Sequence, residues 1–242
     1  MIPAVFCWSG GKDSALCLYK VREEKKYDVR FLLTTVSEEF RRISMHGVRE
    51  ELLEEQARQA GIPLIKIYVR EGTNSEYEAR MEEMLLSLKR QGIHHVIFGD
   101  IFLQDLREYR EKNLAKVEMQ GIFPLWKKDT KKLAEEFLSL GFKTYTCCTN
   151  DAYLGKEWVG RRLDENFLSE LPPNVDPCGE NGEYHTFCFQ GPIFRFPIDV
   201  SIGEKIYRHL EIKQASDCNL PQSQTKGFWY CDLFINYGNN PL

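Results

Sequence analysis

"FCWSGGKDSALCLYK", residues 6–20, is an apolar strand that ends in Ser9-Gly10-Gly11 and runs through Lys12-Asp13-Ser14 into a helix. Two glycines permit a backbone turn that a Cβ would strain, and they let main-chain N–H groups approach a ligand closely. A helix starting just beyond them adds unpaired N–H donors and the positive end of its dipole. That combination seats an anion, and phosphate is the usual one. A Walker A loop would need glycine where Phe6 stands, and a dinucleotide fingerprint would need a third glycine. The pattern that remains is S-G-G-x-D-S between a strand and a helix. Ser and Asp also cap helices, so a plain capping turn is the alternative reading of the same residues.

Outward from this loop the first half alternates strands and helices. "PAVFCW" (3–8), "VRFLLTTV" (29–36), "PLIKIYV" (63–69), "HHVIFGD" (94–100) and "IFPLW" (122–126) read as five strands. Helices fall between them. The first carries Ala15, Leu18 and Tyr19 on one face, and one from about Val48 turns Leu52, Leu53 and Ala57 inward before Gly61 and Pro63. A third, near 75–90, spaces Tyr77, Met81, Met84, Leu85 and Leu88 helically. Repetition of this kind predicts an α/β fold: a mainly parallel sheet with helices on both faces and right-handed crossovers. Ligands then bind beyond the carboxyl ends of the strands, where the loops after strands one and four meet.

The rhythm changes near residue 126. A helix at 130–140 has Asp129 or Thr130 as its N-cap and Gly141 past its end, and "FKTYTCCT" (142–149) follows as a strand. Asn181-Gly182 signals a two-residue hairpin. "KIYRHLEIK" (205–213) and "FWYCDLFIN" (228–236) read as antiparallel strands, with "NLPQSQTKG" between them as a mobile loop. The expected division is residues 1–125 and a smaller α+β domain over 126–242.

Composition excludes more than it selects. With 43% apolar and 28% charged residues the chain is globular, and a net charge of −4 gives no basis for broad nucleic-acid or membrane affinity. The basic runs "LREYREKNLAK" and "WKKDTKK" read as solvated helix faces. No apolar run reaches the length of a membrane span, and "MIPAVFCW" lacks the features of a signal peptide. Eight cysteines without a Cys-x-x-Cys or an export signal read as reduced thiols, so a cytoplasmic location is expected. A homo-oligomer is compatible with all of this.

"SGGKDS" resembles the PP-loop of the N-type ATP pyrophosphatases, in the adenine nucleotide alpha-hydrolase superfamily. "CGENGEYHTFCFQGPIF", residues 178–194, is similar to the block that marks the diphthine–ammonia ligase family. The resemblance implies a Rossmann-like (HUP-type) ATP-binding domain over 1–125 and a substrate-binding domain over 126–242. It implies that Ser9, Gly10, Gly11 and Ser14 cradle the pyrophosphate part of ATP, with Lys12 assisting the leaving group. Asp13 would hold Mg²⁺, since a hard cation takes carboxylate oxygen. The exit of the second strand, around Thr35, would meet adenine, and Gly99-Asp100 would face the α-phosphate or metal.

In "GENGEYHT" strand alternation puts Glu183 and His185 on one face, with Glu180 across the turn. Two carboxylates and an imidazole there can bind an amine and move its protons; a solvated hairpin is the plainer reading. Here the chain departs from the ligases of archaea and eukaryotes, which carry Gly at the Asn181 position and an acid at the His185 position. Some bacterial relatives carry the His form together with an "SMHG" loop like residues 44–47. Bacteria make no diphthamide, so their acceptor differs, whereas an archaeal or eukaryotic source would favour diphthine on elongation factor 2. His46 would then line the cleft, or merely precede a helix. Cys147 and Cys148, with Cys178, His185 or Cys188, match no standard zinc spacing.

The expected activity is ATP-dependent: a substrate carboxylate is adenylated with release of pyrophosphate, and ammonia or an amine then displaces AMP. Asp13, Lys12, Glu183, Glu180 and His185 are the candidate catalytic residues. A tRNA-thiolating enzyme and a nucleotide-binding regulator are the alternatives.

Overall fold

The computed structural model describes residues 1–43, 46–70, 74–210 and 225–236. Ser44 and Met45 of the "SMHG" loop, residues 211–213 of the segment read as a strand, and residues 219–224 of "NLPQSQTKG" lie outside them.

Five strands, β1 (Ile2–Cys7), β2 (Tyr27–Ser37), β3 (Leu64–Val69), β4 (His95–Ile97) and β5 (Gln120–Ile122), form a parallel sheet in the order β3-β2-β1-β4-β5. The crossover helices are α1 (Lys12–Glu24), α2 (Glu50–Ala60), α3 (Asn74–Arg90) and α4 (Gln104–Lys116). Side chains alternate along β1: Ala4 and Phe6 pack toward α1 and α2, and Val5 joins Leu33, Val96, Leu85 and Leu88 on the α3 side. Leu16, Leu18, Leu52 and Leu53 are fully buried, each contributing about 1.5–3 kcal/mol of transfer free energy. The run 106–116 is a solvated helix, as its charges suggest, and among the described residues of α4 only Leu114 is buried.

Two strands of this sheet fall elsewhere than the sequence suggests. Apolar content puts the fifth at 122–126, but pairing stops at Phe98 N–H to Ile122 O, 2.9 Å. Pro124 has no N–H to continue the ladder, and the chain turns with Trp126 N donating to Phe123 O. The fourth ends at Ile97 rather than Asp100, because the chain at Gly99 leaves the sheet to pass the first turn of α1.

The second half holds α5 (Thr130–Ser139), β6 (Lys143–Asn150), α6 (Glu165–Glu170), β7 (Tyr184–Gln190), β8 (Val200–His209) and β9 (Gly227–Ile235). Asp129 is the N-cap of α5, accepting from Lys132 N at 2.9 Å. The four strands make an antiparallel sheet in the order β7-β6-β9-β8. The Asn181-Gly182 hairpin is not formed: β7 pairs with β6, more than thirty residues upstream, and residues 176–183 are turns. Phe187 and Cys188 of β7 and Cys231 of β9 share one apolar cluster with Leu16 and Leu53, so the core runs from α1 and α2 into the second sheet without a break.

Candidate active site

The loop after β1 is shaped by its own short side chains. Gly10 has φ +78°, where a Cβ would also come within 2.7 Å of Gln56 Oε1. Ser9 and Ser14 hydroxyls lie 2.8 Å apart, and Gly11 N donates to Ser9 Oγ at 3.3 Å. A Cβ on Gly11 would meet Thr186 O at 3.2 Å and His46 Cε1 at 3.3 Å. The loop is therefore closed over by another strand.

That strand is β7. Cys188 N donates to Gly10 O at 2.9 Å and Lys12 N donates to Thr186 Oγ1 at 3.0 Å. Gln56, wholly buried on α2, fastens the junction: its Nε2 donates to Gly10 O and Cys188 O, and its Oε1 accepts from Trp8 Nε1. Lys12 is buried as well. Its Nζ donates to both Asp13 oxygens, at 2.8 and 2.7 Å, and to Cys178 O, and it lies 5.6 Å from the Tyr184 ring centroid. Burial disfavours the ammonium, but the Asp13 carboxylate beside it outweighs burial and raises its pKa.

These groups open onto a cavity of about 870 Å³ at the carboxyl ends of β1, β2 and β4, within the usual range of ligand pockets. Ser9, Gly11, Lys12, Asp13, Ser14, Thr35, Gly99, Asp100, Glu180 and His185 all line it. Gly10 lies behind the loop, and Glu183 stands outside the lining. Gly99 is there because of space: a Cβ would sit 3.3 Å from Ser14 N and from the Asp13 carbonyl carbon. The Asp100 carboxylate is engaged by Arg110, Nε to Oδ2 2.6 Å.

The two glutamates part company. Glu180 Oε1 accepts from Ile101 N (2.7 Å) and Phe102 N (3.2 Å) at the cavity wall. Burial and the charge of Asp13 push its pKa up to about 7. Glu183 is fully buried, and its carboxylate accepts from Asp176 N, Asn181 N and Asn181 Nδ2 at 2.9–3.0 Å. It folds the 176–183 turn around itself, so Glu183 and His185 do not share a working face as strand alternation suggested.

His46 and His185 face each other with ring centroids 4.5 Å apart. Cys147 and Cys148 are buried; burial raises the first thiol's pKa strongly and pushes the second up to about 12. Among the described residues no three His, Cys, Asp or Glu side chains gather as a metal-binding group.

Several contributors had faint signals or none. Gln56 is a polar side chain on the face shared by Leu52, Leu53 and Ala57, which is a visible anomaly. The Thr186 hydroxyl and the Cys178 carbonyl carry no sequence signal, because their role comes from where β7 lands.

Ser9, Gly11 and the N-terminus of α1 border the cavity, a donor set that fits a phosphate group, while the Cβ directions of Gly10 and Gly11 are occupied by Gln56, Thr186 and His46. For Mg²⁺ the donor set is thin. Asp13 faces the cavity as a single carboxylate already paired with Lys12. That suits an ion carried largely by phosphate oxygens and water rather than a protein cage.

The sequence model of the diphthamide synthase N-terminal domain matches residues 2–121, and that of the diphthamide synthase C-terminal domain matches residues 129–218. Proteins named diphthine–ammonia ligase from Bos taurus and Homo sapiens are each 30% identical over 139 residues, covering 54% of this chain and 51% of theirs. The Danio rerio protein of that name is 31% identical over 111 residues, 43% of each chain. The chain thus spans about half the length of the curated relatives it matches. Among solved structures, a predicted subunit of tRNA methyltransferase from Methanocaldococcus jannaschii is 16% identical, with TM-score 0.42 over 77% of this chain and 96% of that one. A U34-tRNA thiolase from Methanococcus maripaludis is 17% identical, with TM-score 0.37 over 58% and 57%.

Proposed function

The chain belongs to the diphthamide synthase family, and from that premise we propose that it is an ATP-dependent, amide-forming ligase. A substrate carboxylate oxygen attacks the α-phosphorus, the bond to the β-phosphate breaks, and pyrophosphate leaves with its electron pair. Ammonia or an amine then attacks the acyl carbon and AMP departs. Ser9, Gly10, Gly11 and Ser14 shape the seat for the phosphates. Lys12 and the first amides of α1 face the charge that develops on the leaving group. Asp13 orients Lys12 and supplies a carboxylate to Mg²⁺, which when bound neutralises phosphate charge. Thr35 and the β2 exit border the base, and Gly99 keeps the first turn of α1 close.

Glu180, titrating near neutrality on the cavity wall, is placed to exchange a proton during turnover. Glu183 acts as a brace that holds residues 176–183 and hence the Cys178 carbonyl against Lys12. The acceptor is a carboxylate on a small molecule or a protein. Diphthine is the one the relatives' name suggests, and His185 in place of an acid favours a different one.

One observation carries this reading: the glycine loop, buried Lys12 and Glu180 face one cavity that the second half of the chain closes. Buried, protonated Cys147 and Cys148 speak against a sulfur-transfer reading. The test is to incubate the protein with ATP, ammonium and fractionated cell metabolites, and to separate the nucleotides. AMP and pyrophosphate formed together are expected. ADP as sole product would overturn the reading, and ATP binding without turnover would favour a regulator.

A further inference from the structure

The cavity runs from the loop after β1 to the inner sides of α3 and α4. Tyr77, Met81 and Leu85 recur every four residues along α3, and Leu106, Arg110 and Leu114 do so along α4. Both rows line the space between the two helices. Of the α4 row only Leu114 is buried, so Leu106 and Arg110 stand half-buried at the cavity wall. The helices are joined at the rim, where Tyr109 Oη donates to Glu78 Oε1 at 3.1 Å and Lys116 Nζ stands 3.8 Å from Glu78 Oε2. That contact spans the gap and limits what lies between the helices to a small molecule.

One charged side chain reaches into these apolar rows. The Arg110 guanidinium lies over the Phe98 ring, with Cζ 4.4 Å from the centroid. Asp100 holds one edge of it: Nη2 donates to Oδ1 at 3.2 Å, and Nε stands 2.6 Å from Oδ2 without the alignment of a hydrogen bond. Stacking and pairing together fix the plane of the group. Its other edge is open. Nη1 has no partner among the described residues and is not sealed from solvent, and the same is true of the Tyr77 hydroxyl. A few oriented donors in a mainly apolar pocket are what fixes a ligand's direction, and these donors want an acceptor oxygen. Asp100 already balances the guanidinium, so an acid there is held by charge-assisted hydrogen bonds more than by net attraction.

We propose that the space between α3 and α4 receives the acceptor of the reaction, a small carboxylic acid with an apolar body, whose carboxylate lies on Arg110 and Tyr77. This rests on the amide-forming reading above and names its substrate class. The body of the acid lies among Met81, Leu85 and Leu114. Its carboxylate is the end next to the phosphate loop, because Asp100, which holds Arg110, adjoins Gly99, and Gly99 packs on the first turn of α1. Arg110 and Tyr77 form and break no bond. The product amide turns an N–H toward the donors that held the acid, which favours its release.

The probes are sodium butanoate, hexanoate and octanoate and the matching amides, titrated without ATP into the full chain carrying 13C-methyl methionine. A saturable shift of the Met81 methyl is expected with the acids, with affinity rising about fourfold per methylene. The amides should bind at least about tenfold more weakly. Arg110→Lys keeps a cation for Asp100 but gives up the open edge, and should lower acid affinity about tenfold. Tyr77→Phe keeps the shape of the wall and should lower it about threefold, so the proposal stays testable if the first variant does not fold. ATP affinity should stay within about threefold in both. No saturable Met81 shift with any acid, or acids and amides that bind alike, would overturn the proposal. So would unchanged acid affinity in Arg110→Lys, or exclusion of octanoate by ATP, which would give this space to the nucleotide. Because none of these measurements needs turnover, their outcome is independent of the AMP-or-ADP test of the ligase reading.

Discussion

The loop at 9–14 is shaped by its own residues, whereas the loop at 176–183 is shaped by one carboxylate that reaches back into it. In the first, a left-handed glycine, two hydroxyls 2.8 Å apart and the start of α1 set the turn, and Gln56 and β7 then fasten it. In the second, the Glu183 side chain replaces the strand partner that an Asn-Gly hairpin would have had, taking the amides of Asp176 and Asn181. The two loops meet through Lys12, whose ammonium touches Asp13 on one side and the Cys178 carbonyl on the other. One wall of the cavity presents chemistry directly, and the other presents it only while an internal brace holds. Glu180 and Glu183, three residues apart, show the contrast most sharply: one faces the cavity, the other is spent on the backbone.

Substitutions in the two loops should therefore fail in different ways. The largest effect is expected at Asp13. Asp13→Ala removes a cavity-facing carboxylate and leaves buried Lys12 without its counter-ion, with only Cys178 O and the Tyr184 ring beside it, so the melting temperature should fall as well. Pyrophosphate release per folded molecule should fall about 10²–10³-fold. Undiminished turnover in that variant would remove Asp13 from the mechanism.

Glu183→Ala should do the reverse. It strands the amides of Asp176 and Asn181 and the Asn181 side chain in a buried turn, at a cost of about 3 kcal/mol in stability. Residual activity should track the folded fraction, and Glu183→Gln should recover part of both. A Glu183→Gln protein that is fully stable, binds ATP and forms no product would instead make Glu183 a catalytic group.

This contrast also sets what was legible in the sequence. The parallel sheet, its crossover helices and the turn after β1 rest on neighbours within about ten residues: apolar periodicity, Gly10-Gly11, the Gly61 and Gly141 stops, the Asp129 cap. Such signals survive without knowledge of the rest of the fold. The Asn181-Gly182 turn misled because the same dipeptide serves any turn with positive φ, and Gly182 has φ +81° with a strand following it but none before it to pair. The fifth strand slipped because Pro124 and the ladder's end count for more than apolar content. What no local pattern shows is β7 lying on the loop, with Thr186, Cys188 and the Cys178 carbonyl at work through long-range contacts. Gln56 is the exception, since a glutamine among Leu52, Leu53 and Ala57 asks for a buried partner.

Gln56 gives the next test, at the seam itself. Gln56→Leu keeps the volume but strips partners from Gly10 O, Cys188 O and Trp8 Nε1. A loss of about 2 kcal/mol in stability is expected, with weakened ATP binding, because both loops lose their shared fastening. Weakened nucleotide binding at full stability would mean that the seam tunes the seat without supporting the fold.

The smallest effect is expected farther from the cavity, where β9 holds the loop that carries His46. Asp232 accepts from Arg49 Nε and Nη2 at 3.0 and 2.7 Å and from Arg42 Nη1 at 2.9 Å, and Arg42 in turn donates to Gly47 O. Burial opposes its charge, but the two guanidiniums prevail and hold the carboxyl down at about 2, below its ordinary 3.8. A depressed folded pKa contributes stability above the unfolded value, and that contribution is lost as pH falls from about 4 toward 2. Allowing for the partial exposure of all three side chains, the contribution is about 1 kcal/mol at neutral pH. Asp232→Asn should therefore lower the urea midpoint modestly at pH 7 and at pH 5. At pH 3 the gap to the native chain should narrow, because native Asp232 is itself taking up a proton. A gap that stays constant down to pH 3 would mean that Asp232 contributes through packing and hydrogen-bond shape, and that the hold of β9 on the His46 loop is not electrostatic.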